Sequence, residues 1–401
     1  MYIKLSKIYK KSLFLFLGLS LVLPTLFTKE RLIFLIILLI FSLCIIFKNK
    51  IKICYNRILI LMLFLLAAFV AFVMGVIESS PGAFNSLTIY ILWPIVFYIL
   101  FWSLNSKDLC ALKNTICFSY ICSLSLFILF IIDKFYMKIP YIDILLINFD
   151  FRFNANGNHL EYYMPSLPSF LITFVYFLYS TFIPSKVSKN TSISNALILI
   201  SSFALLIISG RSAIYIALVI NFFILISIFI VQKRYKVLFT TFTLIVLFTY
   251  INLELVNNLF QFVSSSFDFS NVNNSSSHRR YVQFFQLTDA MFNNPFFGLG
   301  LGSSVDEFFI QRSEPWAYEL SYLSILMQFG IFGFILISLP VVYIFFLFIQ
   351  NRKSFFFHES LPFLMCIFSL LIITISNPYI FKFDYLWLIF IALFIFKNKH
   401  A

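Results

Sequence analysis

Arginine and carboxylate side chains occur together in one polar stretch of an otherwise apolar chain, residues 254–318 and the residue that follows. Arg279 and Arg280 lie inside this stretch, and Glu319 stands at the start of the next apolar run. Arginine binds phosphate well because its planar guanidinium donates paired hydrogen bonds and keeps its charge when partly desolvated. A partly buried carboxylate near such cations can accept a proton from an attacking hydroxyl. These residue types predict the displacement of a diphosphate leaving group by a hydroxyl.

Arg211 is a third candidate cation, in a polar turn at 209–213 between two apolar runs. A charge that persists at the rim of a membrane span is a functional candidate, because burying it at mid-membrane costs about 2.5–3.5 kcal/mol. We therefore predict that Arg280 and Arg211 hold the diphosphate, with Arg279 beside them, and that Glu319 is the base. The alternatives are that the arginines only anchor the protein at the membrane interface and that Glu319 only favours a helix start.

The sequence lacks the patterns that would hold a metal ion. It has no Asp-x-Asp motif, and its four histidines are far apart. A metal site is therefore not expected. The arginines would have to stabilise the leaving diphosphate themselves, in a metal-independent transfer that uses no cofactor.

The composition is that of an integral membrane protein. Of 401 residues, 61% are hydrophobic and only 11% are charged, which leaves too little polar surface for a soluble globule. Most of the apolar runs are close to the roughly 20 residues that cross a ~30 Å hydrocarbon core as helix. We predict an all-α polytopic membrane protein that forms a single domain over 1–401. About twelve spans are expected, at 12–28, 32–47, 58–77, 86–103, 109–132, 162–183, 193–209, 212–231, 237–253, 319–349, 360–376 and 379–396.

The distribution of charge predicts the orientation. With the N-terminus in the cytoplasm, 19 of the 29 lysines and arginines fall on the cytoplasmic side, as the positive-inside rule requires. Both termini are then cytoplasmic, and the two sizeable loops, 133–161 and 254–318, face outward. The positive net charge is therefore a topology signal and does not indicate a nucleic-acid partner.

The smaller outer loop is rich in asparagine and glycine around 152–161. Its turns and hydrogen-bonding groups suit a polar ligand such as a sugar, and Arg152, Asn158 and His159 are the candidate contacts. The alternative is a solvated connector.

The larger outer loop contains aromatic and apolar residues at helical spacing after His278, a further candidate substrate contact. This spacing predicts an amphipathic helix near 279–293 that lies on or near the membrane and ends before Pro295. Beyond the loop, Gly330 and Gly333 are expected to let membrane helices pack closely.

These motifs resemble those of the O-antigen polymerase and O-antigen ligase group of bacterial envelope glycosyltransferases. Arg280-x-x-x-Phe284 followed by Pro295-x-x-Gly-x-Gly resembles the group's Arg-x-x-x-Trp helix and its Pro-x-x-Gly-x-Gly segment, with Phe284 in place of Trp. The Ser-Gly-Arg at Arg211 resembles its Ser-Arg signature. In the group's ligases a histidine stands eleven residues before a Gly-x-x-Gly, where this chain has Glu319. The acidic residue favours the polymerase.

The resemblance implies an enzyme of the bacterial inner membrane whose active face is periplasmic. A polymerase would transfer the growing glycan from undecaprenyl diphosphate to a sugar hydroxyl of a new lipid-linked unit, as in lipopolysaccharide O-antigen or similar surface polysaccharides. Its partners would be the undecaprenyl-diphosphate-linked oligosaccharide, membrane lipid and a chain-length regulator protein. The alternatives are a ligase that transfers glycan to lipid A core and a flippase or other transporter, although the sequence has neither internal repeats nor signs of broken helices.

Overall fold

The computed structural model describes residues 2–24, 26–49, 55–135, 151–156, 159–183, 193–235, 275–305, 315–350 and 355–396, and these residues are mostly helical. The helices are α1 (Tyr2–Val22), α2 (Thr28–Asn49), α3 (Tyr55–Ile77), α4 (Ala83–Phe101), α5 (Leu109–Phe135), α6 (Leu167–Phe182), α7 (Ile193–Ile208), α8 (Ser212–Val231), α9 (Ser275–Asn293), α10 (Ser321–Gln350), α11 (Phe355–Ile373) and α12 (Phe383–Ile395).

The helices support an all-α membrane protein. Within the described residues, six helices are long and apolar enough to cross a membrane, and four shorter helices are also apolar. Every predicted span except the ninth overlaps one of the helices α1–α8 and α10–α12. The ninth, 237–253, lies outside the described residues. The span count, the orientation and the side of the termini stay predictions.

Two helices form the centre of the bundle. α6 packs against α7 and α11, while α12 packs against α4 and α10. All the described side chains of α12 except Phe383 are buried. A helix that is apolar and buried on all sides belongs at the centre of a large helical assembly.

A β-hairpin lies in the smaller predicted outer loop, where the sequence analysis expected turns. Strands β1 (Arg152–Asn156) and β2 (His159–Tyr163) pair antiparallel, with Arg152 opposite Tyr163. Only residues 157 and 158, a Gly-Asn pair, join the two strands, and such a pair is a strong sequence signal for a two-residue hairpin. The sixth helix therefore begins at Leu167 and not at the predicted residue 162.

The expectation that Gly330 serves close helix packing is wrong, because Gly330 breaks α10. Its φ of 62° and ψ of −177° interrupt the helix, a conformation that is essentially restricted to glycine. The break exposes two carbonyl groups just before it. The Met327 carbonyl accepts a hydrogen bond from Leu299 N–H at 2.8 Å, and the Gln328 carbonyl accepts one from Gly300 N–H at 3.0 Å.

The segment 294–302, which we call the glycine segment, is wedged between α10, α3 and α4. Leu301 N–H donates to the Ala71 carbonyl of α3 at 2.7 Å, and the Gly302 carbonyl accepts from Gly82 N–H at 3.1 Å. At Gly300 a Cβ atom would stand 2.1 Å from the backbone nitrogen of Gly75, so no larger residue fits. These contacts fix the chain that leaves α9 against the start of α10.

Candidate active site

Helix α9 carries the predicted arginines and packs on the first half of α10. Its inward face includes Gln283 and Leu287, both completely buried, and Leu287 packs with Tyr318 and Met327. The aromatic residues that predicted an amphipathic helix mostly point away from the protein, since Tyr281, Phe284, Phe285 and Phe292 are exposed. The aromatic face of α9 therefore points away from α10, and the face that meets α10 carries Gln283 and Leu287.

The structure brings Arg280, Arg279 and Glu319 together. Nε of Arg280 donates to Oε2 of Glu319 at 2.7 Å, and Nη1 of Arg279 lies 3.6 Å from Oε1 of the same carboxylate. The Glu319 side chain is 14% exposed and that of Arg280 is 21% exposed, so both ends of the pair are partly shielded from water. The two guanidinium groups thus converge on one carboxylate at the rim of the bundle.

Glu319 lies just before α10 and not within it. Its backbone N–H donates to the side-chain oxygen of Gln283 at 3.1 Å, which ties the start of α10 to α9. The recorded partners of its carboxylate are the two arginines. Arginine pairing accounts for the position of this side chain better than the helix-start alternative does.

Arg211 lies at a different place on the bundle. It is the residue before α8, and its guanidinium lies 5.0 Å from the centre of the Tyr163 ring on β2. Among the described residues, the structure records no direct contact that joins Arg211 to Arg280 or Glu319.

The remaining predicted contacts group around the hairpin or at the start of α9. Arg152 lies on β1 opposite Tyr163, which contacts Arg211, whereas His159 pairs with Asn156 at the other end of the hairpin. Asn158 lies outside the described residues. His278 is in the first turn of α9, one residue before Arg279.

A cavity of about 600 Å³ opens beside Glu319, and we call it the aromatic cavity. Tyr318 and Ser321, which flank Glu319 along the chain, line one side of it. Its lining residues belong to the helix ends that the predicted topology places outside. They are Thr28, Arg31, Leu32, Leu35, Ser86, Ile89, Tyr90, Trp93, Trp316, Ala317, Tyr318, Ser321, Ser324, Ile325, Gln328, Pro378, Phe381, Lys382, Phe383 and Asp384.

The charged residues of the aromatic cavity were missed by the sequence analysis. Asp384 is only 3% exposed and forms an ion pair with Arg31, which also donates to the carbonyls of Leu23 and Leu26 at 3.2 and 3.3 Å. Lys382 and Asp384 lie inside the predicted span 379–396. The reasoning that selected Arg211, that a charge in a span is functional by default, applies equally to them.

The arrangement suits the transfer of a group from an anionic leaving group to a hydroxyl. Two arginines can hold an anion, a carboxylate beside them can accept a proton, and an adjoining cavity can hold a second molecule. The single carboxylate offsets one of the two positive charges, so an incoming anion competes with Glu319 for the arginines.

Comparison with known proteins gives one family match and no curated relative. Residues 196–338 match the model of a family described as O-Antigen ligase, which covers α7, α8, α9 and the start of α10. The match includes Arg211, Arg279, Arg280 and Glu319. No curated protein matches the chain significantly. The match supports the O-antigen ligase and polymerase family of membrane glycan-transfer enzymes for this chain, and it does not separate polymerisation from ligation.

Proposed function

We propose that this protein polymerises lipid-linked oligosaccharide repeat units on the periplasmic face of the inner membrane. The growing glycan on undecaprenyl diphosphate is the donor, and a sugar hydroxyl of a new undecaprenyl-diphosphate-linked unit is the acceptor. The observation that carries the proposal is the convergence of Arg280 and Arg279 on Glu319. This convergence places two anion-binding groups in direct contact with a proton acceptor.

The proposed reaction is a displacement at the anomeric carbon of the donor. The acceptor oxygen forms a bond to that carbon while the bond from the carbon to the diphosphate oxygen breaks, and the diphosphate leaves with the electron pair. Arg280 and Arg279 stabilise the negative charge that develops on the departing group. Glu319 takes the proton of the acceptor hydroxyl.

Competition for the arginines links the two roles of the site. The Glu319 carboxylate accepts a hydrogen bond from Nε of Arg280 and lies within ion-pair distance of Nη1 of Arg279. A diphosphate carries more negative charge than a carboxylate and binds arginine by the same paired hydrogen bonds, so it replaces the carboxylate. Binding of the donor therefore frees the Glu319 carboxylate from the arginines, and the carboxylate can then accept the proton of the acceptor hydroxyl.

Arg211 and the hairpin provide the second part of the proposed site. Arg211, with Arg152, Asn158 and His159, contacts the donor from the side of the β-hairpin, and His278 contacts it from α9. Support comes from the position of these residues in segments that the predicted topology places outside, and from the contact of Arg211 with Tyr163. Metal independence and a chain-length regulator as partner belong to this proposal as well.

The ligase is the second candidate function, because the matching family model is described as an O-Antigen ligase. Glu319 in place of the ligases' histidine favours the polymerase. A transporter is a weaker candidate, although the break of α10 at Gly330 is a feature that transporters also have. The backbone groups freed at this break bind the glycine segment of the same chain, which leaves them unavailable to a transported ion.

Deletion of the gene should separate these functions. We expect lipopolysaccharide core that bears a single repeat unit on a silver-stained gel, because units are still made and ligated but are no longer joined. Core without any repeat, together with accumulated lipid-linked polymer, would identify a ligase. Bare core together with unpolymerised lipid-linked units held on the cytoplasmic face would identify a transporter.

Cysteine labelling should test the orientation of the site. A single cysteine introduced between 264 and 277, in a cysteine-free background, should react in intact spheroplasts with a membrane-impermeant maleimide. A cysteine introduced at 233–235, on the predicted cytoplasmic side, is the control and should react only after the membrane is opened. The reverse pattern would contradict a periplasmic active face.

A further inference from the structure

The aromatic cavity has the composition of a carbohydrate site. The rings of Trp93, Trp316 and Tyr90 line it together with the side chains of Thr28, Ser86, Ser324 and Gln328. Aromatic rings pack against the apolar C–H face of a sugar, and hydroxyl and amide groups bind its hydroxyls. Its volume of about 600 Å³ is within the usual range of small-ligand sites.

The charges in the aromatic cavity also suit a polar ligand. Asp384 is almost completely buried, and its ion pair with Arg31 places an acceptor and a donor side by side in the wall. A carboxylate and a guanidinium are both groups that bind sugar hydroxyls. Lys382 adds a further donor to the lining.

Two local features of the backbone shape the aromatic cavity. A π-helical turn, Thr88–Leu92 in α4, brings Ile89 and Tyr90 into the wall, and such turns occur frequently at functional sites. Gly82 leaves room for Trp316, because a Cβ at residue 82 would stand 2.2 Å from Cδ2 of the indole. The hydrogen bond from Gly82 to Gly302 connects this packing to the glycine segment.

We propose that the aromatic cavity binds the acceptor sugar, so that its attacking hydroxyl reaches Glu319. The inference rests on the proposed function and names the acceptor subsite for it. Residues 318–321 form the wall between the cavity and the arginines, since Tyr318 and Ser321 line the cavity while Glu319 pairs with Arg280 on α9. The donor diphosphate and the acceptor sugar therefore bind on opposite sides of the same short segment. A Glu319 side chain released by the diphosphate can turn toward the acceptor.

Tryptophan fluorescence can test this subsite, because only four tryptophans are present in the chain. Trp93 and Trp316 line the aromatic cavity, whereas Trp102 packs edge-on against Tyr98 and is not part of the lining. The probe is the oligosaccharide repeat unit released from the lipid-linked pool of the native strain. We expect its titration onto the purified protein in lipid nanodiscs to give a saturable change in indole emission.

Variants identify the rings that report the binding. Affinity, measured by calorimetry, should fall about tenfold or more in W93A and W316A, the effect of losing one ring contact in a buried site. W102A is the matched control and should bind as the wild type does. W316F restores a ring and should recover part of the affinity, which a general loss of folding would not allow.

Two results would overturn the assignment of the acceptor subsite. One is equal affinity for the oligosaccharide in W93A, W316A and W102A. The other is a response to undecaprenyl phosphate without any response to the oligosaccharide. The second result would identify the aromatic cavity as a lipid site. An adjoining apolar cavity of about 220 Å³, which shares Tyr90 and Phe381 with the aromatic cavity, would then hold part of the lipid chain.

Binding of undecaprenyl diphosphate, measured in parallel, distinguishes this inference from the proposed function. Binding that is retained in W93A and W316A and weakened in R280A supports both. Failure of the wild-type protein to bind undecaprenyl diphosphate would contradict the proposed function. Failure to bind the oligosaccharide, with diphosphate binding intact, would contradict the acceptor subsite alone.

Discussion

Replacing Glu319 by glutamine should reduce glycan transfer by about 10²–10⁴-fold, the usual contribution of a general base. Glutamine has nearly the same shape and can still accept a hydrogen bond from Arg280, so the start of α10 should stay in place. It cannot accept the proton of the acceptor hydroxyl. The measurement is the length of the polysaccharide ladder in a complemented deletion strain, at a protein level equal to that of the wild type.

The same variant should bind undecaprenyl diphosphate more tightly than the wild-type protein does. The carboxylate of Glu319 competes for the guanidinium groups of Arg280 and Arg279, and the uncharged amide weakens this competition. Tighter binding of undecaprenyl diphosphate together with loss of glycan transfer would show that Glu319 both competes with the diphosphate and acts as the base. Weaker binding together with lost transfer would indicate instead that Glu319 only positions the arginines.

Arginine variants and a distant carboxylate provide the controls for this result. R280A should abolish chain extension, and R280K should recover little of it because lysine lacks the planar, bidentate donor geometry. Glu78, exposed at the end of α3, is the matched carboxylate, and E78Q should give a normal ladder. Full-length ladders from both E319Q and R280A would refute the assignment of these two residues.

Sequence reasoning found the pair that carries the proposal because its members are unusual for their context. Arg280 and Glu319 are 39 positions apart. Arg280 lies in the polar stretch, at the start of the predicted amphipathic helix, and Glu319 stands at the start of the next apolar run. The cost of placing charge near hydrocarbon makes such residues informative without any knowledge of the fold. The helical class follows from composition in the same way, since the lengths of apolar runs reflect membrane thickness.

The aromatic cavity could not be predicted because its residues come from segments that are distant in sequence. Trp316, Trp93 and Asp384 meet only after α4, α10 and α12 have packed. Asp384 also lies inside a predicted span, and the mean hydropathy of such a run of residues changes little when it contains a single charge. The β-hairpin was accessible in principle, since the Gly-Asn pair at 157 and 158 is a turn signal, but the flanking residues were interpreted as loop.

The glycine segment is held in place by backbone hydrogen bonds, and the spacing of residues in the sequence does not predict them. Gly330 and Gly333 have the spacing of small residues at a helix interface, and this spacing predicted close packing of two helices. In the structure the two glycines differ, because Gly330 has a φ of 62° and Gly333 continues the helix. Spacing alone cannot separate a helix break from a packing contact.

Gly330→Ala should therefore be far more damaging than Gly333→Ala. An alanine at 330 would have to adopt a conformation that costs about 1–3 kcal/mol for a residue with a Cβ. That Cβ would also stand 2.3 Å from the carbonyl carbon and oxygen of Phe296, which are backbone atoms of the glycine segment and cannot rotate away. If the helix instead continued through 330, Leu299 and Gly300 would lose the carbonyl groups of Met327 and Gln328 as hydrogen-bond acceptors.

The matched variant at Gly333 meets a much smaller obstacle. A Cβ there would stand 2.8 Å from Cβ of Phe329, on the same helix, so a small local adjustment of α10 is needed, but no backbone atom of the glycine segment is obstructed. Alanine also favours helix, by roughly 1 kcal/mol over glycine.

In detergent-solubilised protein we expect G333A to elute as a monodisperse peak with a near-normal melting temperature, and G330A to lose that peak or melt at least several degrees lower. Because the glycine segment joins α9 to α10 through backbone hydrogen bonds, G330A should also shorten the polysaccharide ladder even where protein remains. Similar losses from the two alanines would mean that the residues act alike, as small residues at a helix interface, and that the break at Gly330 does not hold the site together.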